Sequence, residues 1–459
     1  MTAIVELLRT NLGDGAIAAE KDFPDRSLGG HPLGTPLAVL RPRTTDEVSK
    51  ILRLCAQTRQ PVVPWGGRTG LVDGAYAEGA VAISLDRMSA VEDIDATGAT
   101  MTVGAGCPLQ TACEKAEEQG MFFPLDLGAR GSATVGGNIA TNAGGNRVIR
   151  YGMMRDSVLG LEAVLADGTV ISSLNHLIKN NAGYDLKQLF IGTEGTLGIV
   201  TRAVLRLRPK PVSQNMAFLA VDSFESLTRT LRGLERGLSG TLSAFEAMWS
   251  DFYELVTTPP ANGRPPLPHG HPYYVLVESL GGDQDEDAPR FEQALARELE
   301  KGDIADAMIA KSKSECDKLW ALRDDVMQVM RNAPVFTFDV SLKLADMERY
   351  VRKVREDLKA RWPDTTTMMV FGHLGDGNLH VIPGVGDGSR DARHGVEAIV
   401  YGALEGGSVS AEHGIGLEKR DYLALSRNAA EIALMRKLKR ALDPDNILNP
   451  GKIFSLNDA

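Results

Sequence analysis

Hydrophobic positions recur along the chain at two spacings, and the switches between them lay out the elements. Ile4, Leu7 and Leu8 share one face of a short N-terminal helix. After a polar connector, LAVLRPRTTDEVSKILRLCAQTRQPVVPWGGRTGL reads as strand, helix, strand and glycine turn. Val48, Ile51, Leu52 and Leu54 or Cys55 form the helical face. Thr45 or Thr44 caps it, and Asp46 and Glu47 occupy its first turn, where carboxylates suit the helix dipole. Alternation over residues 79–85 and 99–105 predicts two further strands, and a helix follows over residues 109–120. Residues 158–171 predict a hairpin turning at Asp167-Gly168. Residues 181–207 predict a short helix ending near Phe190, a Gly-Thr-Glu-Gly-Thr turn and an outgoing strand.

Pro209 and Pro211 punctuate the chain, which sets a domain boundary near residue 211. Beyond it, helices over residues 223–237 and 287–301 alternate with short strands over residues 273–278 and 335–342, the texture of an α+β domain with an antiparallel sheet. Residues 257–271 form a Pro-rich loop. A helix over residues 428–442 and the closing DPDNILNPGKIF are expected to dock back on the first domain.

Composition narrows the class. With 459 residues, 43% hydrophobic and 24% charged, the chain has enough apolar material for two or three domains. A formal charge of -10 gives no general attraction for nucleic acid or anionic membranes. Cys55, Cys107, Cys113 and Cys316 show no CxxC pair, which argues against a disulfide framework, a thiolate zinc knuckle or an iron–sulfur cluster and fits a cytoplasmic location. The N-terminal apolar run is too short for a secretory signal, and no apolar stretch of about 18 residues exists to span a bilayer.

The richest chemistry lies in residues 124–156, PLDLGARGSATVGGNIATNAGGNRVIRYGMMRD. Gly128, Gly131, Gly136, Gly137, Gly144 and Gly145 allow close approach of backbone to a ligand. Ser132, Thr134, Asn138, Thr141, Asn142 and Asn146 add short hydrogen-bonding groups. Clustered N–H groups in such a loop bind an anion without lysine. A bare surface loop is the alternative, and the interleaved Val135, Ile139, Val148 and Ile149 argue for burial. The Trp65 to Gly70 turn suits a phosphate or, equally, a simple tight turn.

A second constellation occupies residues 368–381, MMVFGHLGDGNLHV, read as two strands joined by residues 375–378. Pairing Leu374 with Leu379 would set His373 directly opposite His380, with Cβ atoms roughly 4.5–5.5 Å apart. Two imidazoles so placed grip one metal ion, with Glu412 as the natural third ligand. Glu412 and His413 are adjacent and cannot share a face in a regular strand, so one of them needs a bend. A metal site and a set of structural histidines stand level on spacing alone. His31, His176, His269, His271 and His394 read as structural or surface residues.

Taken in order, PWGGRTGL, the 124–152 stretch, GTEGTLGIVT, GHLGDGNLHV, SAEHGIG and DPDNILNPGK resemble the FAD-linked D-2-hydroxyacid dehydrogenases over nearly the whole chain. That family includes D-lactate and D-2-hydroxyglutarate dehydrogenases and the flavin subunit of glycolate oxidase, in the vanillyl-alcohol-oxidase fold superfamily. The resemblance implies an α+β fold: a two-lobed FAD-binding domain of the PCMH type over residues 1–211, and an α+β cap domain with an antiparallel sheet over 212–403 that carries the metal hairpin. Residues 404–459 would supply Glu412 and His413 and return to the FAD domain.

By the same resemblance, Pro64, Trp65, Gly66, Gly67, Arg68, Thr69, Gly70 and Leu71 hold FAD together with Pro124, Leu125, Gly131, Ser132, Thr134, Gly136, Gly137 and Asn138. Thr141, Asn142, Gly144, Gly145, Tyr151 and Gly152 continue that cradle, Glu194, Gly198 and Ile199 lie nearby, and Asn449 closes from the tail. Covalent relatives often carry a histidine in the first glycine loop. Arg68 stands in that loop here, so FAD is expected to be non-covalent. The resemblance makes His373, His380 and Glu412 ligands of a divalent metal, zinc by default, with manganese or iron as alternatives. His413 becomes the base and Arg323 the grip on the substrate carboxylate.

Two positions depart from the hydroxyglutarate branch: Thr337 stands where a substrate-binding lysine is expected, and Ile382 where an asparagine is expected. Losing two polar partners points to a D-lactate-like or apolar acid, with D-2-hydroxyglutarate as the alternative. The acceptor is expected to be an electron-transfer flavoprotein, a quinone or a cytochrome, and the assembly a homodimer. Readings of other classes are a flavin-free metallohydrolase and a catalytically silent flavoprotein subunit of an electron-transfer complex.

Overall fold

The computed structural model describes residues 3–18 and 24–456, which divide into two compact units. The first comprises residues 1–144, 152–210 and 412–459; the second comprises 145–151 and 211–411.

The first unit carries two principal sheets besides a two-stranded pairing of Met121–Phe122 with Arg208–Pro209. In the smaller, Val81–Ser84 lies between Ala38–Leu40 and Val62–Trp65, all parallel. The helix Thr45–Gln57 connects the outer two strands, and its N-cap is Thr44, whose hydroxyl accepts from the Glu47 N–H. Both strands expected from alternation over 79–85 and 99–105 form, as Val81–Ser84 and Thr100–Gly104, and every residue of each is buried. For Val81–Ser84 the parallel sheet shows why. Leu40, Val62 and Ile83 pack into one apolar cluster, while Val39, Val63 and Ala82 join Leu33 and Trp65 in another, so both faces are covered.

The larger sheet of this unit is antiparallel, in the order Val91–Asp95, Thr100–Gly104, Ile199–Arg206, Val158–Val164, Val170–Ser173. The Asp167-Gly168 hairpin falls where the sequence puts it, with Val164 opposite Val170. The short helix before Phe190 is a 3-10 turn, Leu186–Leu189. Residues after 411 complete the unit: Leu448 bridges Val62, and the Asn449 N–H donates to the Val62 carbonyl at 2.7 Å.

The second unit is built on a seven-stranded antiparallel sheet. Its order is Asp306–Ile309, Ser213–Val221, Tyr273–Gly281, Leu242–Trp249, Thr367–His373, Asn378–Gly384, Phe338–Ser341. The helices Ser250–Thr257 and Lys313–Asp324 cover one face, packing Phe252, Val256, Leu319 and Leu322 on Met248, Leu276, Met369, Phe371 and Ile382.

The histidine hairpin differs from its expected register. The connection is a 3-10 turn, Leu374–Asp376, closed by Gly377 at φ 89°, and Phe371 rather than His373 pairs with His380. The tight turn starts one residue earlier than the sequence reading put it, which slides the pairing by two. A two-residue slide keeps every side chain on its face. His373 and His380 are therefore diagonal neighbours, their rings edge to face at a centroid distance of 5.4 Å.

Candidate functional site

In the first unit, the two glycine-rich stretches meet. A Cβ on Gly67 would lie 1.9 Å from the Ser132 carbonyl oxygen, and one on Gly66 2.5 Å from the Thr134 hydroxyl, so only glycine admits this approach. Thr134 caps the helix Val135–Thr141 and accepts from the Gly137 N–H at 3.3 Å. Asn142 ends that helix in the left-handed region and accepts from the Arg155 N–H. Arg68, Asn142, Glu194 and Asn449 all take positive φ without being glycine, a strain that clusters at ligand clamps.

This cradle fits a polar cofactor. The Asn138 Nδ2 and Asn449 Oδ1 atoms are buried with no partner among the described residues, and burying such groups unpaired is costly. Other predicted contacts have packing duties. Trp65 is a core residue whose indole donates to the Ala75 carbonyl at 2.7 Å, Ile199 is buried in the core, and a Cβ on Gly198 would strike the Phe190 ring at 2.7 Å. Gly144 belongs to the first unit, whereas Gly145–Tyr151 belongs to the second.

Glu194 holds the loop that follows His413. Its carboxylate accepts from the Ile415 N–H at 2.7 Å and the Gly416 N–H at 2.9 Å. Gly416 has φ 54° and a Cβ there would meet the Val72 carbonyl at 1.8 Å, so the glycine is required. Burial raises the Glu194 carboxyl above its ordinary range, against the pull of those two N–H groups and of Lys419 and Lys452. Residues 411–413 form a bend, which frees Glu412 and His413 from strand alternation; the His413 Nε2 lies 4.0 Å from Glu412 Oε1. Asn449 donates to the carbonyls of Glu194 and Gly74, at 2.7 and 3.2 Å.

In the second unit, cross-strand pairing lines up a polar row on the helix-covered face. Glu246 is opposite His373, and His380 is opposite Asp339. Because the two histidines share that face, the row runs Glu246, His373, His380, Asp339 over four neighbouring strands. Glu246 and Asp339 carry no local sequence signature beyond an acid inside an apolar run, and sequence reasoning missed both.

Glu246 is almost wholly buried, with Oε1 2.8 Å from His373 Nδ1 and Oε2 accepting from Arg323 Nε at 2.8 Å. Burial would raise its carboxyl, but His373 and Arg323 outweigh that and hold it below the ordinary range. Arg323, near the end of the helix Lys313–Asp324, is buried and stands over the Phe371 ring at 5.3 Å. Asp339 accepts from Asn378 Nδ2 at 2.8 Å and from the Ala411 N–H at 3.1 Å, and Ala411 immediately precedes Glu412. Asp339 and His380 offer ligand atoms within 4.8 Å of each other. A histidine and carboxylates in this array suit a divalent transition metal.

Beside the row the wall is apolar. Met369, Phe371 and Ile382 belong to one buried cluster, with Ile382 opposite Met369. The Phe336 N–H donates to the Pro383 carbonyl at 2.8 Å, which continues the Phe338–Val381 register and sets Thr337 opposite Ile382. The two departures from the hydroxyglutarate pattern are thus neighbours on the His380 face.

The Gly145–Tyr151 segment brings Arg147 to Glu278, Nε to Oε2 at 2.9 Å and Nη2 to Oε1 at 3.1 Å. Ser243, Gln214 and Trp320 also donate to that buried carboxylate. Trp320 lies one turn before Arg323, so this network pins the helix that carries the arginine.

Comparison with known proteins finds two family matches along the chain. Residues 36–173 match the FAD binding domain family, and residues 210–453 match the family of FAD linked oxidases, C-terminal domain. A D-2-hydroxyglutarate dehydrogenase of Xanthomonas citri pv. viticola is 40% identical, over 92% of this chain and 90% of its own length. A Schizosaccharomyces pombe protein provisionally named as a mitochondrial D-lactate dehydrogenase is 38% identical, over 91% of this chain and 82% of its own. Among solved structures, p-cresol methylhydroxylase with substrate bound superposes with a TM-score of 0.79 at 17% identity, covering 99% of this chain and 97% of that one; at such identity the likeness concerns the fold. Among the described residues, no helix is long and apolar enough to cross a membrane.

Proposed function

This chain belongs to the FAD-linked D-2-hydroxyacid dehydrogenases, and we propose that the acid it oxidises is D-lactate or a related monoacid with an apolar side chain. The observation that carries this reading is the Thr337 and Ile382 pair, set side by side along a wall that continues into Met369 and Phe371. A second carboxylate against Ile382 and Met369 would lose its water to apolar neighbours. The second reading, D-2-hydroxyglutarate, is favoured by the name of the Xanthomonas relative.

The glycine cradle would hold FAD without a covalent link, and the flavin would supply a two-electron acceptor for the hydride lost from C2. His373, His380 and Glu412, with Asp339 beside His380, would hold a divalent metal, zinc by default with manganese or iron as alternatives, and that ion would supply Lewis acidity at the substrate hydroxyl. Arg323 grips the carboxylate of the acid, a task for a planar guanidinium. His413 takes the hydroxyl proton as the 2-oxo acid forms, which balances the hydride lost from C2. The electrons leave to an electron-transfer flavoprotein, quinone or cytochrome. The four free cysteines, all buried, support a reducing compartment such as the cytoplasm.

Anaerobic stopped-flow tests the reading, with flavin absorbance followed against D- and L-lactate, longer apolar D-2-hydroxy acids and D-2-hydroxyglutarate. Fastest bleaching by the D-monoacids is expected, and the double variant Thr337→Lys, Ile382→Asn should move preference towards D-2-hydroxyglutarate. Wild-type protein that bleaches fastest with D-2-hydroxyglutarate would sink the monoacid assignment and leave the enzyme class standing.

A further inference from the structure

We infer that Glu194 is the positioning residue of the base, resting on the role proposed above for His413: it joins the glycine cradle to the loop that carries His413 and fixes where that imidazole stands relative to the cradle.

Glu194 turns its backbone one way and its carboxylate the other. Its N–H donates to the Ala140 carbonyl at 2.8 Å, inside the helix Val135–Thr141, and its carbonyl accepts from Asn449 Nδ2 at 2.7 Å. The backbone is thus bonded into the cradle and to the tail that closes it. The buried carboxylate accepts with one oxygen from the Ile415 N–H and with the other from the Gly416 N–H. Two consecutive N–H groups aimed at one anion form a backbone nest, and here the anion is a side chain of the same unit. Gly414 and Gly416 shape the nest, at φ 89° and 54°. A Cβ on Gly414 would lie 2.9 Å from Glu194 Oε1, so the chain leaving His413 wraps closely around the carboxylate. Ile415 and Gly416 follow His413 by two and three residues, too short a run of backbone to absorb a shift of the nest. Glu194 itself sits at φ 51°, a strained value that persists where the surroundings over-determine it.

Glu194→Gln tests this without changing size. An amide has one accepting oxygen, so its NH2 would face the second N–H donor against donor, and the loop must move. Two readouts are taken on the full-length holoprotein. Amide hydrogen exchange in peptides spanning residues 412–417 should quicken by about tenfold or more, as expected when a hydrogen bond to a charged group is lost. Flavin reduction is followed anaerobically with whichever of D-lactate and D-2-hydroxyglutarate bleaches wild type faster. Its rate at saturating substrate should fall by about 10- to 100-fold, the scale of a misplaced catalytic group, while the half-saturating concentration and the flavin content stay near wild type. In the His413→Asn background the same substitution should cost nothing further, because a residue that acts through the base has no effect once the base is gone. A merely structural role would instead give losses that multiply in the double variant. Multiplying losses, or an exchange or reduction rate within about twofold of wild type, would overturn the inference. Should the glutamine variant not fold, Glu194→Asp keeps the charge but is one methylene too short to reach both N–H groups, and the same readouts decide. A His413→Asn protein that reduces flavin as fast as wild type, or wild-type flavin that no hydroxy acid bleaches, would refute the proposed chemistry and the base-positioning role with it, even where quickened exchange shows that Glu194 ties the loop.

Discussion

Replacing Arg147 by methionine should separate the worth of one buried ion pair from that of its neighbours. Glu278 is fully buried and Arg147 is 14% exposed on its side chain, so solvent screens the pair little. Burial pushes the Glu278 carboxyl up, but the Arg147 charge and hydrogen bonds more than offset this and hold it below its ordinary range. Removing one partner of a buried pair costs about 3–5 kcal/mol, because the remaining charge is left without compensation. Here Ser243, Gln214 and Trp320 still donate to the carboxylate, at 2.7, 2.9 and 3.2 Å. Neutral donors of this kind recover part of the loss, which sets the expected cost at about 2–3 kcal/mol near neutral pH.

The pH dependence carries the sharper test. In wild type, the Glu278 contribution is complete above the ordinary carboxyl value of 4.5 and is lost as pH falls through the lower folded value. In Arg147→Met the burial remains and the cation is gone, so the carboxyl takes up its proton at milder acidity. The stability gap between the two proteins should be widest near neutral pH and narrow as the pH is lowered to about 4.5. Urea unfolding followed by tryptophan fluorescence reads this unit, since Trp249, Trp320 and Trp362 lie in it and only Trp65 lies in the other. A gap under about 1 kcal/mol, or one that stays constant across that range, would refute the argument.

Two further outcomes follow from the site geometry. Gly67→Ala should abolish FAD retention, because its Cβ would fall 1.9 Å from the Ser132 carbonyl and separate the two glycine stretches; a purified variant with full flavin content would count against the cradle. His413→Asn should keep flavin and metal bound while reduction by substrate falls by about 100-fold or more, the usual contribution of a general base, and retained turnover would exclude that role.

Legibility in the sequence followed the range of the forces involved. The Thr44 cap and the Asp167-Gly168 turn depend on residues within one or two turns, and both were readable. The histidine hairpin was readable as a hairpin and misjudged in register, because the placement of its 3-10 turn depends on how Gly377 and Leu374 close it. Glu246 and Asp339 were invisible for a different reason. A buried acid in an apolar strand has meaning only once its partners are beside it: for Glu246 these are Arg323 and His373, 77 and 127 residues away along the chain, and for Asp339 it is His380 on the neighbouring strand. Glu194 was legible as part of a glycine turn, whereas its duty to the Ile415 and Gly416 N–H groups joins positions 221 and 222 residues apart.

The first unit is assembled from three separate pieces of chain, and the last of them begins only at Glu412. Within that piece the buried Lys439 donates to the carbonyls of Thr196 and Leu448 and pairs with Asp443, whose carboxylate in turn accepts from the Ile447 and Leu448 N–H groups; Leu448 meets Val62. On the ribosome, where domains generally form in the order they emerge, Val62 must therefore wait through the synthesis of the whole 211–411 stretch for its bridging partner. Here the domain that starts first is the one that finishes last, and the nascent chain carries an open parallel sheet for most of its translation.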